Sequence, residues 1–147
     1  MKNSNNKNLL ITRGVICFPN IERDIEIARE ASINAINDAY DKGNKQIIIT
    51  AQINPKLDVV KKIDEIYNIG VLAKITKIAR TDNEMTVTVM PVSRVLINTL
   101  NVNNTKNLTT CEFTEINDQQ LYKIDESKEF DTLLELLNRY DQKVTAR

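Results

Sequence analysis

Apolar and polar residues alternate from Ile21 to Ile27, with Ile21, Arg23, Ile25 and Ile27 on one side and Glu22, Asp24 and Glu26 on the other. A period of two predicts a half-buried strand with an acidic outer face. The period then changes. Over 28–41, Ile33, Ile36 and Tyr40 recur together with Ala35 and Ala39, which predicts an amphipathic helix. The run DKGN at 41–44 ends it, with Gly43 suited to a left-handed cap. Ahead of these elements, 8–13 (NLLITR) and 14–19 (GVICFP) read as a strand and its exit. Pro19 marks a turn or strand edge there, because proline donates no ladder hydrogen bond.

Downstream, 46–53 (QIIITAQI) is a near-continuous β-branched run and predicts a central strand. Residues 54–67 read as a loop or short helical turn that carries Leu57, Val59 and Val60. Strands are expected at 70–80 and 84–90, joined by a tight turn at Asp82-Asn83. Pro91 is expected to break the second of these, with a new strand at 94–100, a polar loop at 101–107 and a last strand at 108–116. Phe130, Leu133, Leu134, Leu137 and Tyr140 fall on one face of a predicted tail helix, which Asp125 or Ser127 could cap. Its run to Arg147 suggests a connector toward further sequence. Six or seven short strands, one early helix and one late helix give a mainly β, α+β, barrel-like sheet.

Composition narrows the function classes. The chain has 147 residues, enough for one hydrophobic core. Lys plus Arg and Asp plus Glu are 20 each, so the net charge is zero, against the basic excess of a general nucleic-acid binder. There is no His, which excludes histidine metal sites, Ser-His-Asp triads and Cys-His dyads. Three glycines cannot build a Gly-rich phosphate loop. Cys17 and Cys111 form no Cys-x-x-Cys pair and read as buried free thiols. The polar start MKNSNNKN lacks the apolar core of a signal peptide, and no apolar run approaches the roughly 20 residues of a membrane span. A cytoplasmic protein is the expectation.

Between Arg13 and Ile33 the order of residues becomes specific. Arg13, Val15, Phe18-Pro19, Ile25, Ile27, Arg29 and Ser32-Ile33 resemble, without a gap, the opening of the N-terminal domain of the ATP-dependent protease Lon. Residues 66–75 look like the family's strand entering through a glycine, here Gly70, and 89–97 like its Gly-x-x-Arg strand, with Arg94 in the arginine position. The likeness runs over about 9–124. There are departures at backbone-shaping positions: Ile11-Thr12 for Pro-Leu, Asp24 for a proline, Ala28 for the glycine before Arg29, and Pro91 for a glycine.

The resemblance implies a PUA-like pseudobarrel of about six strands with one inserted helix and a C-terminal helix. It divides the chain into a disordered or extended 1–8, a β domain at 9–124, and the start of a connector at 125–147. It implies a non-catalytic segment that engages unfolded or degron-bearing protein substrates and supports a homo-hexamer. The parent would be an ATP-dependent serine endopeptidase with an AAA+ ATPase and a Ser-Lys dyad, its ATP and Mg bound elsewhere, leaving this segment without cofactor or metal. None of Ser4, Ser32, Ser93 or Ser127 sits in a Gly-flanked nucleophile turn.

Candidate substrate contacts are the apolar positions Phe18, Ile21, Leu57, Val59 and Val60, since exposed apolar patches mark interaction sites. Arg13, Pro19, Arg29, Ser32, Gly70 and Arg94 are the structural positions of the family motif. Arg13 and Arg94 are expected to fix carbonyls or to pair with Glu22 or Asp24, and Ser32 to bond locally near the first helical turn. A free-standing PUA-like nucleic-acid or small-ligand binder is the alternative. Lys61, Lys62, Lys74, Lys77 and Arg80 are its basic residues, but no aromatics interleave with them for stacking. A hydrolase with paired carboxylates finds no cleft motif.

Overall fold

The computed structural model of the protein describes residues 6–81 and 84–116. Among the described residues the order is β1 (Asn6–Thr12), β2 (Arg23–Ile27), α1 (Glu30–Lys42), β3 (Gln46–Ala51), a 3-10 turn (Ile63–Glu65), β4 (Ile69–Arg80), β5 (Met85–Asn103) and β6 (Leu108–Ile116). The expected Asp82-Asn83 turn and tail helix lie outside them. The backbone N–H of Thr81 donates to the carbonyl oxygen of Glu84 at 2.9 Å, which closes the β4–β5 hairpin from both sides of that turn.

The strands lie in the order β2-β5-β4-β3-β1-β6, and β6 also pairs with β5. That extra pairing curls the sheet into a barrel. β1 and β3 run parallel, with Leu9 opposite Ile48, and the other pairs are antiparallel. Parallel neighbours need a long crossover. β2 and α1 supply it, and α1 buries Ala35, Ile36 and Ala39 in the main core beside Leu10, Ile25 and Ile27.

β3 explains its own composition. Ile47 and Ile49 enter the main core, whereas Ile48 enters a second cluster with Leu9, Val95 and Phe113. A strand buried on both faces reads as a continuous apolar run. The mainly β architecture with one described helix agrees with the expectation from sequence.

Two local expectations are corrected. Pro91 does not end a strand: β5 runs unbroken through it for 19 residues. Leu72 faces Ser93 and Ala73 faces Pro91, so Val92 is an extra residue in a β-bulge, where a proline is tolerated. The expected strand at 94–100 is therefore part of β5. Gly43, at φ −102°, is not a left-handed cap. The left-handed residues are Asn44 and Lys45, at φ 57° and 63°. Gly43 instead permits close packing, because a Cβ there would stand 3.1 Å from both the Cα and the carbonyl oxygen of Ala39.

Candidate functional site: two grooves meeting at Arg29

Alternation along β1 sends Leu10 into the main core and Ile11 to the opposite face. Beyond Thr12 the chain turns. The Thr12 hydroxyl donates to the carbonyl oxygen of Val15 at 2.8 Å, and Gly14 takes φ +119°, a value costly for side-chain-bearing residues. Arg13 leaves toward the 53–60 loop, and its Nη2 lies 3.3 Å from Oδ1 of Asp58. The side chains are 47% and 90% exposed, so water weakens the pair. Arg13 thus finds its carboxylate in Asp58 rather than in Glu22 or Asp24. Asp24 instead accepts the Thr88 hydroxyl at 2.6 Å.

Arg29 occupies the N-cap position of α1 in extended conformation, and its Nη2 donates to Oε1 of Gln52. Gln52 is buried, and its Nε2 donates to the carbonyl oxygens of Asn54 and Leu57 at 2.9 and 2.8 Å. This one glutamine fastens the 53–60 loop to the entrance of α1. Burial pushes the pKa of Arg29 below its ordinary value, Arg13 pushes it further, and Asp58 opposes both. Pinned in this way, the loop turns Val60 into the second core and rests Leu57 against it, leaving Val59 at 59% exposure between them.

Two grooves meet here. The larger, about 680 Å³, lies between residues 10–12 of β1 with the adjoining Arg13 and residues 24–27 of β2, and reaches Arg29 and Ser32. The smaller, about 370 Å³, shares Ile11, Arg29 and Ser32 and is flanked by Asp58 and Val59. Both volumes fall within the range of ligand-binding clefts.

The sequence candidates therefore divide. Arg13, Arg29, Ser32 and Val59 come together at the grooves. Phe18, Pro19 and Ile21 lie elsewhere: Phe18 packs on Ala51, Tyr67 and Ile69. The N–H of Asn20 donates to the carbonyl oxygen of Pro91 at 2.7 Å, which ties the segment carrying Ile21 to the bulge carrying Val92. Those two aliphatics are 51% and 50% exposed. Gly70 and Arg94 line a small cavity with Cys17 between β4, β5 and the exit of β1. Sequence reasoning missed Gln52, Asp58 and Val92. A polar Gln52 closing an otherwise apolar run was the available signal for the first, while the bulge that exposes Val92 left none.

Among the described residues no group of three or more His, Cys, Asp or Glu is placed to hold a metal ion. No helix among them is long and apolar enough to cross a membrane.

Comparison with known proteins agrees with this architecture. The structure superposes on the N-terminal domain of a Lon protease from the Mycobacterium avium complex with TM-score 0.62 and 17% identity, covering 95% of this chain and 72% of that one. It superposes on a Lon N-terminal domain protein from Xanthomonas campestris with TM-score 0.57 and 13% identity, covering 76% of this chain and 60% of that one. In sequence it is 45% identical to the Lon protease of Malacoplasma penetrans over 74 residues, 48% of this chain and 9% of that protein. It is 29% identical to the Lon protease of Orientia tsutsugamushi over 132 residues, 87% of this chain and 16% of that protein. The chain thus spans only 9% and 16% of these relatives' lengths. The family model for the substrate-binding domain of the ATP-dependent protease La (Lon) matches residues 7–147, and the chain belongs to that family.

Proposed function

We propose that this chain engages unfolded or degron-bearing polypeptides for a longer ATP-dependent Lon protease, without catalysing a reaction itself. The observation that carries the reading is aliphatic surface held open by defined local structure. Val59 is presented by the Gln52-pinned loop, Val92 by a bulge, and Ile21 by the turn bonded to that bulge. Isolated exposed aliphatics are common. Here two of them ride on segments joined by one backbone hydrogen bond, and the third borders a groove. Shallow apolar surface of this kind suits permissive recognition.

In the proposed parent, ATP, magnesium and a Ser-Lys dyad lie outside these 147 residues, and the protein works in the cytoplasm as a homo-hexamer that this segment helps to organise. Six copies around one ring would raise the local concentration of weak sites, so a low affinity per copy suffices.

The test is an amide chemical-shift titration of the chain with a reduced, unfolded polypeptide, run beside a short RNA. Salt-insensitive shifts around Ile21, Val59 and Val92 with the polypeptide alone are expected. Val59→Ser and Ile21→Ser should weaken them while leaving the fold intact. Shifts with RNA alone that vanish at higher salt would replace the reading with a nucleic-acid binder.

A further inference from the structure

We propose that the larger groove takes an extended stretch of polypeptide as an added β-strand between β1 and β2. This rests on the substrate-engaging reading above and names its mode of contact. β2 sits at one end of the strand order and pairs with β5 alone among the described strands. β1 meets β6 only over residues 6–8, so over 9–12 its described ladder is with β3 alone. Counting directions through β3, β4 and β5, β1 and β2 run antiparallel to each other across the gap.

The lining of the groove identifies what borders it. Residues 10, 11, 12 and 13 line one wall and 24, 25, 26 and 27 the other. Side chains of a strand alternate between its two faces, so consecutive lining residues mean that the strand edges border the space. A strand edge offers a row of backbone N–H and C=O groups that another extended chain can pair with. Residues 10–12 of β1 give about 10 Å of edge and 24–27 of β2 about 13 Å.

The side chains suit the same occupant. Leu10, Ile25 and Ile27 are already buried in the main core, so apolar contact comes from half-buried Ile11 and Val15, while Arg13 and Arg29 are matched in number by Asp24 and Glu26. A groove with balanced charge asks for no net charge in its ligand. A phosphate backbone needs a cationic excess instead. A helix satisfies its own backbone groups and has none to offer the edges.

The experiment uses the isotope-labelled 147-residue chain and two probes. One is an uncharged eight-residue peptide alternating Val and Ser. The other is the same peptide N-methylated at alternate residues, which removes donors while keeping the side chains. The expected result is amide shifts over 10–13 and 24–27, slowed amide exchange at both edges, and binding about tenfold or more weaker for the N-methylated peptide. Equal binding of the two peptides overturns strand addition. So does finding, in the free chain, that the amides of 24–27 all exchange as slowly as those of the β4–β5 ladder, because the edge is then already covered. Shifts confined to residues 18–21 and 92 overturn it too, while leaving the substrate-engaging reading standing. No response to either peptide or to an unfolded polypeptide overturns both.

Discussion

A Cβ added to Gly70 would stand 2.5 Å from the carbonyl oxygen of Ile49. The obstacle is backbone of the neighbouring strand, so no side chain can swing aside to make room. Gly70 therefore sets how closely β4 approaches β3 near the start of their ladder. Gly70→Ala should destabilise the chain by about 2–3 kcal/mol, typical of overpacking. Denaturant unfolding would measure the loss. A variant as stable as the parent would mean that the two strands separate at no cost.

Gln52 joins three segments, and Arg29 is its only side-chain partner among the hydrogen bonds described above. Arg29→Ala strands Oε1 of a buried glutamine, an error worth about 1–3 kcal/mol. Asp58→Asn removes only a solvent-exposed ion pair and should cost less than about 1 kcal/mol. The two variants made side by side separate a fastening residue from a surface charge. If Asp58→Asn proved the more damaging, the loop would depend on the ion pair instead of the glutamine.

The mainly β architecture was legible because each element carries its own period. β6 matches its expected bounds, and the acidic alternation before α1 marks β2 plainly. The errors came where a residue's local rule met a tertiary exception. Pro91 reads as a strand breaker, but a bulge absorbs its missing donor. Gly43 reads as a left-handed cap, but close packing on Ala39 claims it, and the turn falls one residue later on Asn44. The candidate site was legible only in part, because pattern says which residues are apolar and not which the fold leaves exposed. Val59 and Val60 are adjacent aliphatics of the same type, yet one is 59% and the other 6% exposed.

Cys17 and Cys111 are both buried, and burial pushes their pKa values up to about 11 and about 12, a partial attraction from Arg23 notwithstanding at Cys17. At pH 8 the more acidic thiol is ionised in roughly one molecule in a thousand. The thiolate is the reactive form. Neither cysteine should react with a water-soluble thiol reagent in the folded chain at that pH, and both should react in denaturant. Rapid labelling of the native chain would show that one of the core clusters opens readily.

Glu65 couples the 3-10 turn to acidity. Its Oε1 accepts the backbone N–H groups of Lys61 and Lys62 at 2.8 and 2.9 Å. These hydrogen bonds hold its pKa below the ordinary carboxylate value, with the nearby lysine charges helping and desolvation opposing. A carboxylate whose folded value is lowered stabilises the turn fully above the unfolded value and loses that effect as pH falls through the folded one. Acidification from neutral pH through the lowered folded value should therefore shift the amide resonances of Lys61 and Lys62 and speed their exchange. The same amides in Glu65→Gln should not titrate over that range, because the amide oxygen carries no charge to lose. Identical acid profiles in parent and variant would assign the change to another group. Lys61, whose amide Glu65 holds, directly follows Val60, so loss of the Glu65 bonds at low pH should reach the Val59 amide before the strands respond.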